Sequence, residues 1–342
     1  MNHPLNKMLG THQTLNVRRD SSSVPAWPSY RGQSQLVGGS PSGRVTVYVD
    51  PSLGTAALQN AQDLMNDADR VVTANDVLFG STGGPISVIV FALGGATDGS
   101  GGADHGGCNY QSGAAIEVCA SFGNSTRVSA LFEAELSECS MGGNLCGVST
   151  GEALSRWCAA VISSNALADF ATAPQWVQDG MPNYVDQTAS TDQDADSTGC
   201  GMAFLSWMMS LGYGLDTMAP AMVSLGDQGT LAQLYSQLTG NATSSAWSSF
   251  IAAVQALPAG VSNDDPFGGA SQAAQLAHIA PWSVDLAGKV FAAILQDIVK
   301  GKPAHQITAS VRAALVSSPH VQHAHSKSGS CVVGSRRLRP PG

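Results

Sequence analysis

The stretch V-S-A-L-F-E-A-E-L-S-E-C-S-M-G-G-N-L-C-G-V-S-T-G-E-A-L-S-R-W, residues 128–157, decides how this sequence is interpreted. Leu131, Phe132 and Leu136 are spaced so that they share one side of a helix, which predicts an apolar helix face. Only 12% of the residues in the chain are charged, yet this stretch contains four glutamates: Glu133, Glu135, Glu138 and Glu152. Because buried carboxylates are costly unless they are paired or bind a metal, we expect this helix to border a functional cleft.

Residues 134–138 have the layout of a zinc-binding helix motif. In H-E-x-x-H, two histidines four positions apart hold zinc, and the glutamate between them activates the metal-bound water. Here the string is A-E-L-S-E. Glu135 keeps the position of the catalytic base and Glu138 replaces the second histidine, whereas Ala134 offers no ligand atom. The pattern therefore predicts Glu135 as a base and Glu138 as a metal ligand.

Composition excludes two function classes. The formal net charge of −9 and the absence of a clustered basic segment in the domain argue against nucleic-acid binding. No uninterrupted apolar run reaches the roughly 18–20 residues of a membrane span. With 342 residues, of which 43% are hydrophobic, the chain is long enough to bury a sizeable core.

Cysteine usage favours a secreted or extracytoplasmic protein. Seven cysteines occur in a chain that is rich in Ser, Thr and Gly, a composition typical of disulfide-bonded exported proteins. The first ten residues lack the apolar segment of a signal peptide, so a cytoplasmic location is the alternative. Proximity along the chain favours the pairs Cys108–Cys119 and Cys139–Cys146, but spacing alone does not fix the connectivity.

The order of patterns predicts an α/β (α+β) fold, in which a small N-terminal mixed sheet with helices precedes a mostly helical half. Strands are expected at residues 44–49, 86–93 and 115–120, and a long helix at 53–78. A glycine-rich loop is expected at 94–107. The predicted segments are a flexible leader (1–43), one domain (44–257), a linker (258–280), a helical hairpin (281–316) and a disordered tail (317–342).

Two further stretches carry a family resemblance. W-V-Q-D-G-M-P-N-Y, residues 176–184, resembles the W-x-x-E-G-x-A-D-Y helix that supplies the acidic third ligand in the basic secretory protein-like peptidases. S-T-G-C-G-M-A-F-L-S-W, residues 197–207, resembles the helix that follows it in that family. Together with A-E-L-S-E, these stretches make residues 44–257 similar to gluzincin metallopeptidases of the zincin group. The chain also resembles uncharacterised bacterial secreted proteins that share the strings E-A-E-L-S-E and G-E-x-L-S-R.

The resemblance implies a zincin-like fold in which Asp179 is a metal ligand beside Glu138. Further candidate residues of the cleft are Glu133, Glu152, Tyr184 and His105. Glu152 has a second interpretation, because Arg156 lies four positions on, at the spacing of a helical ion pair. Zinc is not expected, because zinc sites are built mainly from His and Cys. The cofactor is either none or a divalent cation on carboxylates, such as Ca²⁺, Mg²⁺ or Mn²⁺.

Two functions follow from these expectations. The first is a metallopeptidase-like pseudoenzyme or binding scaffold that takes a peptide or protein ligand and lacks ordinary zinc-dependent proteolysis. The second is an active hydrolase, in which Glu138 and Asp179 bind the metal and Glu135 is the general base. Glycoside hydrolysis by Glu135 and Asp179 is disfavoured, because aromatic residues are only 6% of the chain and no strip for stacking sugars is evident.

Overall fold

The computed structural model of the protein describes residues 25–143, 145–163 and 166–269. In these residues a five-stranded mixed sheet precedes a mostly helical half, which confirms the predicted α/β class. The strands are β1 (Gln35–Gly39), β2 (Val45–Val49), β3 (Ile86–Phe91), β4 (Ala103–Gly106) and β5 (Ala114–Cys119). The α-helices are α1 (Gly54–Phe79), α2 (Ser125–Met141), α3 (Ser149–Ile162), α4 (Ala173–Gln178), α5 (Ala195–Ser210), α6 (Leu215–Leu225), α7 (Leu231–Thr239) and α8 (Ala246–Gln255).

The sheet has the strand order β1-β2-β3-β5-β4. Strands β2, β3 and β5 are parallel and form its centre, which agrees with their β-branched, almost fully buried sequences. Strands β1 and β4 pair antiparallel with β2 and β5, respectively. The strands expected at residues 44–49 and 86–93 lie in the same sheet as direct neighbours, with Val45 opposite Ile86.

Two hydrophobic cores hold the described residues together. In the first, Leu64 of α1 and Phe132 of α2 pack with Val88 and Ile116 of the sheet, and all four side chains are fully buried. The second lies among the later helices, where buried aromatic side chains such as Trp157 pack together. Helix α2 contacts both α1 and α3 and therefore joins the sheet to the helical half.

Residues 25–43 belong to the fold, so the prediction of a flexible leader is wrong for them. Strand β1 pairs with β2, and the segment before it is anchored by Glu117 of β5, which is fully buried. The Glu117 carboxylate accepts hydrogen bonds from Ser29 N at 3.0 Å, from Ser29 Oγ at 2.5 Å and from Tyr30 N at 2.6 Å. Strand β1 escaped prediction because Q-L-V-G-G is short and ends in two glycines.

Several other boundaries differ from the predicted ones. The loop expected at residues 94–107 contains β4, and α6 was not predicted. Helix α4 is shorter than expected, because Gly180 and Met181 have φ of 88° and 56° and turn the chain out of the helix. The expected linker begins as packed structure, since Asp264 accepts hydrogen bonds from Thr172 N and Ala173 N. The hairpin at 281–316 and the tail at 317–342 lie outside the described residues.

A disulfide joins Cys108 to Cys146, so both pairings favoured by proximity are wrong. Cys119 and Cys139 are buried free thiols. The bond links the loop after β4 to the turn after α2, and its two residues are 38 positions apart with their Cα atoms separated by 6.5 Å. Closing a loop of this length is worth about 4 kcal/mol in the chain-entropy model.

Across residues 25–269 as described, none of the helices has the length and apolarity that crossing a bilayer requires.

We predict that Glu117→Gln loosens the N-terminal segment. The amide keeps one acceptor but loses the charge, and a hydrogen bond to a charged group contributes about 1.5–3 kcal/mol. The free energy of unfolding in urea should fall by about that amount, and trypsin should cleave after the exposed Arg31 faster than in the wild type. Unchanged stability together with unchanged cleavage at Arg31 would show that Glu117 does not hold this segment.

Candidate metal centre

The centre forms where β4 lies against α2. Side chains alternate across a strand, and His105 lies opposite Ile116, whose side chain is fully buried in the core beneath α2. Asp104 lies opposite Glu117, on the other side of the sheet, where Glu117 holds the N-terminal segment. The alternation therefore directs His105 toward α2 and Asp104 away from it.

Helix α2 presents Glu135 and Glu138 on one face, because residues three positions apart are neighbours on a helix surface. The helix begins after Asn124, whose side chain accepts a hydrogen bond from Arg127 N, and ends before Gly142 at a φ of 68°. The side chains of Glu135 and Glu138 are 13% and 7% exposed. Both carboxylates are therefore largely buried, with His105 and Glu152 among their neighbours.

Three ligand atoms converge at this point. His105 Nε2 lies 3.0 Å from Glu138 Oε2 and 4.0 Å from Glu135 Oε2, and one ligand atom from each residue lies within 4.8 Å of the others. Bonds of about 2.0–2.2 Å from a common ion place neighbouring ligands roughly 3–4 Å apart. The spacing therefore suits a divalent cation that is bound by one nitrogen and two carboxylates.

Burial and neighbouring charges shift the pKa values of all three residues in this cluster. Burial by itself lowers the pKa of His105, but hydrogen bonds to Cys139 and Glu138 and the charge of Glu135 outweigh it and raise the pKa to about 11. Burial and the charge of Glu138 raise the pKa of Glu135 well above its ordinary value. Burial also raises the pKa of Glu138, which the hydrogen bond from His105 only partly offsets. Burial and the neighbouring carboxylates thus disfavour the ionised form of Glu135, and a divalent cation in this position would favour it instead.

Glu152 extends the cluster from α3. Its charge acts on both Glu135 and Glu138, and it lies within hydrogen-bond reach of Glu138. Arg156 Nε donates a hydrogen bond to Glu152 Oε1 at 2.5 Å, so the predicted ion pair is confirmed. Arg156 is in turn held by the carbonyl of Phe170 at 2.7 Å. Glu152 therefore connects the centre to a fixed positive charge.

Two predicted residues lie in a different cluster. Asp179 follows α4 and accepts a hydrogen bond from Gln175 Nε2 at 2.6 Å, with Asp196 beside it. Tyr184 donates a hydrogen bond to Asp194 Oδ2 at 3.2 Å. Among the described residues, Asp179 does not join the group formed by the ligand atoms of α2 and β4. The expected convergence of Glu135, Glu138 and Asp179 is therefore not found.

Glu133 points away from the centre, and its place in the cleft was wrongly predicted. The side chain is fully buried, and its charged neighbours are Arg70 and Asp76 of α1. Within the described structure, neither of its carboxylate oxygens has a hydrogen-bond partner. Burial consequently raises the pKa of Glu133 well above its ordinary value, because it disfavours the ionised form of the group.

His105 was predicted only as a further residue of the cleft, whereas the structure places one of its ring nitrogens in the group of ligand atoms with Glu135 and Glu138. Strand β4, A-D-H-G, has only four residues and is flanked by glycines, which is too few for a period to be recognised in the sequence. No protein-family model, curated protein or solved structure matches this chain. The functional assignment therefore rests on the geometry of these residues.

We predict that Glu133→Met stabilises the protein, because methionine fills the site without an unsatisfied polar group, whose cost is about 1–3 kcal/mol. The unfolded chain releases the Glu133 proton near its ordinary pKa of 4.5, whereas the folded chain keeps it. Wild-type stability is therefore lost as pH rises above that value, and the advantage of the variant should grow between about pH 4 and pH 8.

Urea unfolding across this pH range measures the difference for Glu133→Met. The control is Asp216→Asn, which removes an exposed carboxylate at the start of α6. A methionine variant that is less stable than the wild type at about pH 8 would show that the Glu133 carboxylate is stabilised by its surroundings.

Proposed function

We propose that the protein is a metal-binding relative of the zincin peptidases, in which a His–Glu–Glu centre has replaced the zinc site. The ligands are His105 of β4 with Glu135 and Glu138 of α2. The observation that carries this proposal is the convergence of His105 Nε2 with the two carboxylates at 3.0 and 4.0 Å. The likeness of A-E-L-S-E to a zincin helix motif supports the position of the centre on α2.

The ligand set favours a divalent transition metal. Imidazole suits such metals, whereas Ca²⁺ and Mg²⁺ prefer sites made of oxygen alone. His105 therefore changes the expected all-oxygen site into a mixed one, for which Mn²⁺ is a suitable probe. The bound metal would supply a Lewis acid at this position. Arg156 holds Glu152 beside the ligands and limits the build-up of negative charge.

This assignment makes the protein a pseudo-peptidase with a peptide ligand. If both Glu135 and Glu138 bind the metal, neither carboxylate that α2 contributes to the centre is free to act as the base of an ordinary peptidase. A peptide partner is supported by β4, which is the edge strand on its side of the described sheet and can pair with an extended chain.

The Cys108–Cys146 disulfide supports a secreted or extracytoplasmic location.

The second candidate is a metal-assisted hydrolase. Glu135 Oε2 lies 4.0 Å from His105 Nε2, farther than Glu138, and its side chain retains 13% exposure. These features also fit a general base that acts on a metal-bound water. In this alternative, only His105 and Glu138 of the three hold the metal.

We predict that isothermal titration detects Mn²⁺ binding, which His105→Ala and Glu138→Gln weaken by more than about 100-fold. Loss of an outer partner of a metal ligand already costs about 10–100-fold, and loss of a ligand costs more. Asp104→Asn and Asp179→Asn are the matched controls, since both carboxylates lie outside the group of converging ligands. Wild-type affinity in His105→Ala, or a large loss in Asp179→Asn, would contradict the proposed ligand set.

Glu135→Gln separates the two functions in the same assay. For the pseudo-peptidase, the variant loses Mn²⁺ affinity, and neither protein cleaves a panel of unstructured peptides. For the hydrolase, affinity is retained, and cleavage by the wild type is lost in the variant. Retained affinity with cleavage by neither protein would show that Glu135 has neither role.

We also predict that Mn²⁺ affinity rises with pH. The cation must displace the proton of His105, whose pKa is raised to about 11, and the proton that burial retains on Glu135. Each displaced proton contributes about a tenfold gain in affinity per pH unit while the group is protonated in the metal-free protein. Titrations from about pH 6 to pH 8 should show this slope; an affinity independent of pH would exclude displacement of either proton.

A further inference from the structure

A second set of ligand atoms shares His105 with the carboxylate centre. One ring nitrogen of His105 and the sulfur atoms of Cys108 and Cys146 all lie within 4.8 Å of one another. The two sulfurs are joined in the disulfide, so they do not act as thiolate ligands while the bond is intact. Cys108 is half-buried and Cys146 is 6% exposed, which leaves the bond reachable from the side of Cys108.

We propose that reduction of the Cys108–Cys146 disulfide opens a thiolate site for Zn²⁺, formed by the two cysteines and His105. Two thiolates and one imidazole are the ligands that zinc prefers, and solvent fills the fourth position. This site goes beyond the proposed carboxylate centre: it shares His105 with that centre but does not need Glu135 or Glu138.

The backbone positions fit the proposed site. The Cα atoms of Cys108 and Cys146 are 6.5 Å apart. Zn–S bonds of about 2.3 Å in a tetrahedral site place the two sulfurs about 3.8 Å apart. Reduced side chains can open from a disulfide to that distance through their own torsions, without movement of the backbone. Gly106 and Gly107 separate His105 from Cys108 and leave the loop free of bulky side chains.

The reduction step uses a small dithiol as reductant. One thiolate of the dithiol attacks the Cys108 sulfur, the disulfide bond breaks, and Cys146 leaves as a thiolate. The second thiol of the dithiol then closes the dithiol's own disulfide and frees Cys108. Two electrons pass to the cysteine pair, and the two protons of the dithiol end on the cysteines. Binding of Zn²⁺ displaces these thiol protons to solvent.

The consequence is a centre whose metal class depends on the redox state. With the disulfide intact, the ligand atoms that converge with His105 and are free to bind a metal are the carboxylates of Glu135 and Glu138, so the site takes a transition metal on nitrogen and oxygen. After reduction, the same imidazole joins two thiolates, which select softer ions such as Zn²⁺ over Mn²⁺.

Co²⁺ titration of the full chain tests this inference, because thiolate ligands give Co²⁺ a charge-transfer band that nitrogen and oxygen ligands do not. The protein carries Cys331→Ser to remove the cysteine outside the described residues. It is titrated oxidised, and again after treatment with a dithiol that is removed by anaerobic desalting. We expect the band, at one equivalent, only in the reduced protein, and its loss in Cys108→Ser, Cys146→Ser and His105→Ala. Cys139→Ser, which removes a neighbouring thiol outside the pair, should keep the band.

Glu138→Gln distinguishes this site from the carboxylate centre. The variant should abolish Co²⁺ binding by the oxidised protein but keep the thiolate band of the reduced protein. If the carboxylate centre does not exist, the oxidised wild type binds no Co²⁺, but the band of the reduced protein is still present. The inference is overturned if the reduced wild type shows no band, or if the band persists in Cys146→Ser. It is also overturned if Cys108→Ser/Cys146→Ser has lost the native circular dichroism, because the site needs the fold without its disulfide.

Discussion

The antiparallel pairing of β4 with β5 brings a histidine to a helix that has no histidine of its own. The register sets His105 opposite Ile116, so the imidazole faces α2. Its Nε2 atom lies 3.0 Å from Glu138 Oε2. A shift of one residue would direct His105 to the opposite side of the sheet. The Cys108–Cys146 disulfide closes the same region, because its cysteines follow β4 and α2 in the chain. The centre thus depends on a long-range strand pairing rather than on a local motif.

Charge explains why this arrangement favours a cation. Glu135 and Glu138 are largely buried beside Glu152, and burial, together with the charges of Glu138 and Glu152, raises the pKa of Glu135 well above its ordinary value. A buried group that is disfavoured as an ion either keeps a proton or finds a cation. Glu133, on another face of the same helix, is the contrasting case. Among the described residues it belongs to none of the groups of converging ligand atoms, and burial raises its pKa, so burial alone does not make a glutamate part of a site.

The sequence allowed much of the framework to be predicted, because β-branched runs and helical spacing are local signals. Such patterns predict strands β2, β3 and β5 and helix α2. They also predict that Glu135 and Glu138 share a helix face. They do not predict the role of His105, since a four-residue strand carries no recognisable period and its register depends on distant residues. Asp179 was misplaced because the helix that was expected to carry it ends at Gln178, where the following D-G-M-P turns the chain away.

The most direct measurement of the central claim is anomalous diffraction at the manganese edge from crystals of the oxidised protein soaked in Mn²⁺. The account predicts one strong peak between β4 and α2, at about 2.0–2.3 Å from His105 Nε2 and from Glu138 Oε2. A peak beside Asp179 and Asp196 instead, or no peak at concentrations that saturate binding in solution, would contradict the account.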